Sequence, residues 1–360
     1  MKFDVVIGNP PYNNDLYLDF VQLGYDLSSN YVCMITPAKW QAKTDGKPAG
    51  SKTPDKNVQF RETIAPHMSK IVYYRDTHDV FDIDDNSGMC YYLIDKNIHT
   101  DRYVKCICKT NKILESDWEI HDEKFIVLLP RVILNIIGKV GQLGEGFKQS
   151  LYVKNIDSGE KSIDGQLGFK RFTYTSEQER GEQLKQANYV EIMQGNKVVG
   201  YKCIDDLFTR VNIEKWKCTV SCMLGGALMF GGDTKVIGSP KLHKIGPYQV
   251  PKGSFPVVRY FDTSNECDSL ISYIETRTVS FLIYFGACGS TLTKEFFRFV
   301  PDPNDWTCTY IDAPHPGVVP DEKGYYTLDG KKYCSLYARY KLTQEEIAII
   351  ESVIKERKQK

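Results

Sequence analysis

The stretch FDVVIGNPPY (residues 3–12) lies near the start of the 360-residue sequence and decides the fold. Residues 3–7 are mostly β-branched and apolar, which predicts a short buried strand. The following Gly8-Asn9-Pro10-Pro11 can continue neither a strand nor a helix, so the chain turns at the carboxyl end of this strand. Ligands bind at that end of the strands in open α/β sheets, and we therefore expect a functional site at this turn.

The residue types in the turn suit one kind of ligand. Two prolines fix the backbone and supply no N–H donor, so the side-chain carbonyl of Asn9 and the backbone carbonyl of Pro10 can accept from one small donor. Tyr12 adds an aromatic face beside these two acceptors. A planar ligand with an exocyclic amine meets all three requirements, and the N6 amine of adenine is such a group.

These residues carry a family resemblance. Asn9-Pro10-Pro11-Tyr12 resembles the catalytic Asn-Pro-Pro-Tyr motif of amino-methylating DNA methyltransferases, in the form found in adenine-N6 enzymes of restriction-modification systems. The resemblance implies that Asn9, Pro10, Pro11 and Tyr12 are catalytic, that double-stranded DNA is the substrate and that S-adenosylmethionine gives the methyl group. The target adenine would swing out of the duplex and stack on Tyr12.

A second resemblance lies near the carboxyl terminus. The segment Arg298–Pro301, Trp306 and the run from Leu342 to Ile347 resemble the end of Eco57I-type methylases, which has an Arg-Phe-Val-Pro strand, a Trp-Thr step and a final Leu-Thr-x-Glu-Glu-Ile helix. In that helix Thr343 and Glu346 have the spacing of a capping box. Residues 310–333 form a hairpin-like insertion that we do not assign.

The residues after the motif predict a βαβ unit. Residues 15–27 place four apolar side chains on one face of an amphipathic helix: Leu16, Phe20, Leu23 and Leu27. Residues 31–35 form a second strand, so a parallel crossover is expected. The ending Ile35–Trp40 resembles the next methyltransferase strand and one wall of the pocket. The fold class is thus α/β, with the catalytic half of a Rossmann-like methyltransferase sheet.

Phe81 is the candidate for a second aromatic ring. It lies in Asp79-Val80-Phe81, ahead of a hydrophobic strand at residues 88–94. This arrangement resembles the segment that stacks against the flipped base in adenine-N6 enzymes. A phenylalanine in a loop also commonly fills a core, and that alternative stays open.

The cofactor-binding half is not expected in this chain. Only eight residues precede Asn9, and the Gly-rich stretch Phe285–Ser290 has the wrong spacing for a cofactor loop. The strand at residues 3–7 would then present an unpaired apolar edge. A partner chain that carries the S-adenosylmethionine-binding half, a lost upstream region or a decayed gene would each explain it.

The remainder of the chain is interpreted as a recognition domain. We place the catalytic half at residues 1–100 and a mixed α/β target-recognition domain with a carboxyl-terminal helix at residues 101–360. Residues 197–260 hold 10 Lys/Arg against 4 Asp/Glu, with aromatic residues between them. This composition is typical of DNA-binding surfaces, and eight basic residues are candidates for DNA contacts: Lys197, Lys202, Arg210, Lys215, Lys217, Lys241, Lys244 and Arg298.

The overall composition narrows the class of protein. Lys and Arg together number 46, as do Asp and Glu, and 42% of residues are hydrophobic, which suits a globular protein. Eleven cysteines without framework spacing suit reduced thiols, and neither a leader nor a long apolar run is seen. We therefore expect a cytoplasmic protein with no metal site, no membrane segment and no nuclease carboxylate cluster.

Three hypotheses follow from the sequence. The first is a site-specific DNA adenine-N6 methyltransferase that needs its cofactor half from elsewhere. The second is a non-catalytic DNA-recognition (specificity) protein or truncated relic. The third is an unrelated α/β enzyme in which the Pro10-Pro11 turn is structural.

Overall fold

The protein was analysed as a computed structural model, which describes residues 2–41, 56–74, 77, 81, 88–99, 103–109, 118–119, 131–141, 188–204, 212–220, 240–251, 255, 257–286, 294–297 and 299–354. The chain forms two compact units, with the described residues up to Asn135 in the first and those from Ile136 onward in the second. The sequence suggested a division after residue 100. In the structure, residues 103–109 belong to the sheet of the first unit.

The strands that the structure describes in the first unit form a mixed sheet. Its strands are β1 (Phe3–Gly8), β2 (Ser28–Pro37), β3 (Met68–Tyr74), β4 (Met89–Asp95), β5 (Tyr103–Lys109) and β6 (Trp118–Glu119). Their spatial order is β1-β2-β4-β3-β5-β6. The pairs β1–β2 and β3–β5 are parallel, and the other neighbours are antiparallel. The predicted α/β class is therefore confirmed.

Two helices pack on this sheet. They are α1 (Leu16–Leu27) and α2 (Lys56–Thr63). Because α1 connects the parallel strands β1 and β2, the predicted parallel βαβ crossover is confirmed. Helix α1 lies very close to the sheet at Gly24, where a Cβ atom would come within 2.7 Å of the Met34 side chain. A larger residue at position 24 would require the Met34 side chain to move.

The apolar face of α1 that the sequence predicts is not the face that packs on the sheet. The buried residues of α1 are Tyr17, Leu18, Val21 and Gly24. Leu16, Phe20, Leu23 and Leu27 are exposed. The helix is thus amphipathic as predicted, but it carries a second apolar stripe outside the core of the first unit.

Strand β1 also differs from its prediction. The sequence predicts a buried strand, yet Phe3, Val5 and Ile7 are all exposed. The reason is position, since β1 lies at the edge of the sheet and, among the described residues, pairs with β2 alone. This agrees with the expectation of an unpaired apolar edge.

The described residues of the second unit form three small sheets. Helix α3 (Arg131–Gly141) crosses the division between the units. The strands that follow are β7 (Tyr189–Gln194), β8 (Lys197–Cys203), β9 (Trp216–Val220), β10 (Leu242–Ile245), β11 (Gln249–Pro251), β12 (Val257–Phe261), β13 (Thr309–Ile311), β14 (Tyr325–Leu328) and β15 (Lys331–Ser335). They are arranged as β11-β7-β8, β10-β9-β12 and β13-β15-β14.

A helical layer completes the second unit. It consists of α4 (Ser264–Glu275), α5 (Arg277–Gly286), α6 (Leu336–Arg339) and α7 (Gln344–Val353). Every residue of α5 from Thr278 to Gly286 is buried. The predicted capping box of Thr343 and Glu346 at the start of α7 is confirmed. None of the helices that the structure describes is long and apolar enough to cross a bilayer.

Two details of the second unit refine the sequence interpretation. The insertion at residues 310–333 includes an antiparallel hairpin of β14 and β15, turned by Asp329 and Gly330, which both have positive φ. The prediction that the Arg-Phe-Val-Pro segment forms a strand is wrong for its described residues. A 3₁₀ turn spans Lys294–Phe297, and the Val300 N–H donates to the Phe297 carbonyl at 2.9 Å, so Phe299 lies within a further turn.

Candidate active site

The Asn-Pro-Pro-Tyr motif lies directly beyond β1. Pro10 is buried, whereas Asn9 and Pro11 are exposed and Tyr12 is half-buried. Gly8 precedes the motif, and a Cβ atom there would lie 2.8 Å from the Met34 sulfur on β2. The motif therefore contains one buried proline and follows a glycine against which the Met34 side chain packs closely.

The hydroxyl group of Tyr12 donates to the Asn9 Oδ1 atom in a close contact. The backbone of Tyr12 (φ −91°, ψ −3°) leads into a 3₁₀ turn at Asn13–Asp15. The amide oxygen that an incoming amine would use is thus already held by a hydroxyl donor. Asn9 and Tyr12, predicted as site residues, are together in one cluster.

A charged pair follows the motif, and the sequence analysis missed it. Asp15 has a left-handed backbone (φ 65°), and its Oδ1 lies 2.5 Å from the ammonium of Lys39, just after β2. The Asn57 amide reaches Asp15 Oδ2 at 3.4 Å and accepts from the Tyr17 hydroxyl at 3.4 Å. This cluster links the two loops at the carboxyl ends of β1 and β2. In the sequence, the only indication of this cluster is that Asp15 lies close after the motif.

Trp40 does not form an open wall of the site. Its indole is buried and packs edge-on against Phe60 and Tyr92, with ring centroids 5.1 and 6.3 Å apart. The expectation from Ile35–Trp40 is therefore corrected, because this tryptophan belongs to the core beneath α2. Its contribution is to fix the loop that carries Lys39.

Phe81, the candidate for a second stacking ring, is half-buried. Its backbone N–H donates to the Thr77 carbonyl at 2.8 Å. This hydrogen bond defines a backbone turn at Phe81. It does not show whether the ring points toward Tyr12. The stacking role of Phe81 stays a prediction.

The candidate DNA-binding residues have different environments. Lys197 and Lys241 are exposed. Lys244 is half-buried and forms an ion pair with Asp268 at 2.7 Å, and Lys215 forms one with Asp262 at 3.2 Å. The remaining surface candidates lie outside the described residues, or their side chains do: Lys202, Arg210 and Arg298.

Lys217 requires a correction. Its side chain is fully buried, and its ammonium donates to the backbone carbonyls of Ile213 (2.9 Å), Lys215 (2.7 Å) and Gly246 (3.2 Å). Burial lowers the pKa of Lys217 to about 8. An ammonium group held in this way cannot reach a phosphate, so Lys217 is a structural residue that joins two loops. The sequence showed a lysine in a basic run but not its direction.

Comparisons with known proteins match the amino-terminal part of the chain. Residues 1–81 match the sequence model of the family described as Eco57I restriction-modification methylase. A protein of Mycoplasma pneumoniae (strain ATCC 29342 / M129 / Subtype 1), named uncharacterized adenine-specific methylase, is 31% identical over 112 residues. The aligned segment covers 27% of this chain and 24% of that protein.

The match to the family includes β1, the Asn9–Tyr12 turn, α1 and β2. The chain spans about a quarter of the length of the curated relative that it matches. The resemblance predicted from the sequence is thus confirmed, and the amino-terminal segment of this chain is similar to the Eco57I-type adenine methylases of restriction-modification systems.

Proposed function

We propose that this chain is the catalytic and target-recognition part of a site-specific DNA adenine-N6 methyltransferase of a restriction-modification system. The observation that carries the proposal is the joint position of Asn9 and Tyr12 at the carboxyl end of β1. The family match at residues 1–81 supports it.

Access to the adenine requires base flipping. A base inside a duplex is out of reach, and extruding it costs roughly a few kcal/mol in stacking and pairing. Stacking on an aromatic side chain returns about 1–3 kcal/mol per base. Tyr12 is half-buried at the end of the strand and would provide one such face, with Phe81 as the candidate for the other.

Asn9 and Pro10 would hold the reacting amine. When the base enters, its N6 amine replaces the Tyr12 hydroxyl as the donor to Asn9 Oδ1, and its second hydrogen meets the Pro10 carbonyl. Two acceptors pull the nitrogen toward tetrahedral geometry and direct its lone pair at a methyl group. The catalytic contribution of these residues is positioning and charge stabilisation, without a strong base.

The cofactor would be bound by residues other than those described here. S-adenosylmethionine supplies an electrophilic methyl group on a sulfonium. The Gly-rich stretch that the sequence analysis considered for this role begins at Phe285 and Gly286, which form the buried end of helix α5, whereas a cofactor loop of this kind follows a strand. Phe285 and Gly286 do not suit the cofactor, and we infer that residues outside the described part of the chain, or a separate half, supply its site.

The basic residues would contact the DNA backbone. Lys197 and Lys241 are exposed, and Lys215 and Lys244 lie near the surface with acidic neighbours. Phosphate contacts of this kind position a protein without reading sequence. Replacing any of these lysines should weaken binding to all duplexes alike and reduce its salt dependence.

The base pocket is tested by binding to DNA. Duplexes are prepared with an adenine opposite an abasic site, so that extrusion costs little, and the dissociation constants of wild-type protein and Tyr12→Ala are compared. Loss of the stacking ring should weaken binding by about 5- to 150-fold. Tyr12→Phe keeps the ring and should retain most of the affinity.

Tyr91→Ala is the matched control, because Tyr91 is an exposed tyrosine on strand β4 of the same sheet. It should bind like the wild type, and circular dichroism should show that each variant is folded. Equal affinity of Tyr12→Ala and wild type would refute the pocket. So would an equal loss in Tyr91→Ala.

A non-catalytic recognition protein is the second candidate function. It is favoured by the position of Phe285 and Gly286 in a helix, which leaves the described residues without a cofactor loop. Duplex DNA and labelled S-adenosylmethionine distinguish the two. Methyl transfer in the presence of a cofactor-binding half supports the enzyme, and DNA binding without transfer supports the recognition protein.

A further inference from the structure

The turn that carries Asn9 and Tyr12 has little packing of its own. Within residues 9–13 the side chain of Pro10 is buried, and three residues are exposed: Asn9, Pro11 and Asn13. The start of the turn is fixed, because Gly8 is paired with strand β2. A turn with so little burial needs a second attachment at its far end if its polar groups are to keep their positions.

Asp15 lies at that far end, and its conformation departs from two local preferences. An aspartate directly before a helix usually accepts from a backbone N–H of the first turn, but the Asp15 side chain makes no such bond to α1. Its backbone is left-handed, with a φ of 65°, which costs energy for a residue that has a side chain. Such costs persist where other contacts compensate for them, and they are frequent at functional sites.

The compensating contact is the ion pair with Lys39. The Asp15 Oδ1 atom lies 2.5 Å from the Lys39 ammonium, and the Asp15 Oδ2 atom accepts from the Asn57 amide at 3.4 Å. The ammonium also lies 5.5 Å from the ring centroid of Tyr17, which is fully buried. The side chains of Asp15 and Lys39 are 21% and 34% exposed, so salt screens this pair less than a fully exposed one.

Lys39 is a firm attachment point because its neighbours are anchored in the core. It lies between Ala38 and Trp40, which are both buried. The Ala38 N–H donates to the Gly88 carbonyl at 2.9 Å, and the Arg61 guanidinium donates to the Trp40 carbonyl at 2.5 Å. The loop after β2 is thus bound to the residue before β4 and to helix α2. Through the ion pair, the same loop also holds the turn after β1.

We propose that Asp15 and Lys39 are positioning residues of the adenine site. This inference rests on the proposed function. In this role the pair acts at a distance from the base, because it holds the far end of the turn. The amide oxygen of Asn9 and the ring of Tyr12 then keep the arrangement that receives an extruded adenine. Binding of the base requires less ordering of the turn, which raises the affinity.

Two other roles for the pair predict different results. A pair that only supports the start of α1 would change the stability of the protein without changing its affinity for an extruded base. A lysine that binds a DNA phosphate would contribute to the salt dependence, since each neutralised phosphate adds about 0.9 to the slope of log affinity against log salt. A positioning pair changes the affinity and leaves that slope as it is.

The test uses the duplex with an adenine opposite an abasic site and measures the dissociation constant at several salt concentrations. Asp15→Asn removes the charge and tolerates the left-handed backbone, and Lys39→Met removes the opposite charge. Each variant should bind roughly 3- to 30-fold more weakly, with an unchanged salt slope. Lys39→Arg keeps the pair and should bind nearly as well as the wild type. Circular dichroism and denaturant unfolding show whether each variant is folded.

A double-mutant cycle shows whether the pair acts through the aromatic ring. Asp15→Asn should weaken binding less in the Tyr12→Ala protein than in the wild type, because the ring that it positions is already absent. Fully additive losses would mean that the pair contributes independently of Tyr12 and would contradict the positioning role.

The pair of Lys56 and Asp19 is the matched control. It joins α2 to the same helix α1 at 2.6 Å, but it lies about one helical turn further from the motif. Asp19→Asn and Lys56→Met should leave the dissociation constant unchanged.

Three results would overturn the inference: wild-type affinity of Asp15→Asn, an equal loss in the control variants, or a reduced salt slope in Lys39→Met. If Tyr12→Ala binds like the wild type, the proposed function itself fails. If Tyr12→Ala loses affinity but the Asp15 and Lys39 variants do not, only the positioning role fails.

Discussion

Helices α1 and α5 have similar apolar content but opposite environments. In α5, Phe281 packs on Phe285 with ring centroids 4.7 Å apart, and the helix is buried on all sides. In α1, one stripe packs on the sheet and another, which includes Leu23, is exposed. Within the described residues, the second unit covers its apolar helix on all sides, whereas the first unit leaves one stripe of α1 exposed. An apolar helix that lacks a cover within its own unit indicates a surface for another molecule.

The largest difference is expected from one substitution made in both helices. Leu282→Ala in α5 removes a side chain that is 0% exposed and should lower the free energy of unfolding by about 2–5 kcal/mol. Leu23→Ala in α1 removes one that is 52% exposed and should change it by less than about 0.5 kcal/mol. Denaturant unfolding measures both. Similar losses would remove the contrast between the helices.

A smaller effect is expected where α5 begins. The carboxylate of Asp312 accepts from the backbone N–H groups of Arg277 (2.7 Å) and Thr278 (3.0 Å) and from the Thr278 hydroxyl (2.7 Å). Asp312→Ala leaves these donors unpaired and should cost about 1–2 kcal/mol. Burial raises the pKa of the Asp312 carboxyl above its ordinary value, although these hydrogen bonds act to lower it. Asp312→Asn keeps one acceptor oxygen without a buried charge but turns its NH2 group toward the other donor, so it should lose part of this free energy. Hydrogen exchange of the α5 amides would report the difference, and a loss in Asp312→Asn as large as in Asp312→Ala would contradict it.

The smallest effect concerns the surface of α7. Partial burial would raise the pKa of Glu346, but hydrogen bonds from Lys139 and from the Thr343 backbone outweigh it and hold this pKa below its ordinary value of 4.5. Glu346 therefore stabilises the fold above pH 4.5, and this stabilisation is lost as the pH falls through the folded-state pKa. Glu346→Gln should cost less than about 1 kcal/mol at pH 7 and nothing at low pH. Unfolding midpoints at both pH values test this, and a loss independent of pH would contradict it.

Local signals in the sequence were sufficient to predict several of the elements. The β-branched run before Gly8 gave β1, the apolar spacing gave α1, and the Thr343–Glu346 spacing gave the start of α7. Each of these depends on residues that are close in sequence. The same is true of the Asn9–Tyr12 cluster, whose two side chains are three positions apart.

Burial and distant contacts were not predictable in the same way. The sequence did not indicate that the predicted face of α1 is exposed, because burial depends on which other elements are present. Lys217 resembled its basic neighbours in the sequence, yet carbonyl groups from two loops enclose its ammonium. The pair of Asp15 and Lys39 joins residues 24 positions apart through the pairing of β1 and β2.

The acceptor pair of the proposed pocket combines two kinds of group. One acceptor is the amide oxygen of Asn9, which a single mutation can replace. The other is the main-chain carbonyl of Pro10, which every substitution at that position retains. If the chain binds adenine in this way, a mutation can replace the acceptor that Asn9 provides. No mutation can remove the main-chain carbonyl at position 10. Mutational scans of the motif would then show graded effects at Asn9, while changes at Pro10 would act only through the shape of the turn.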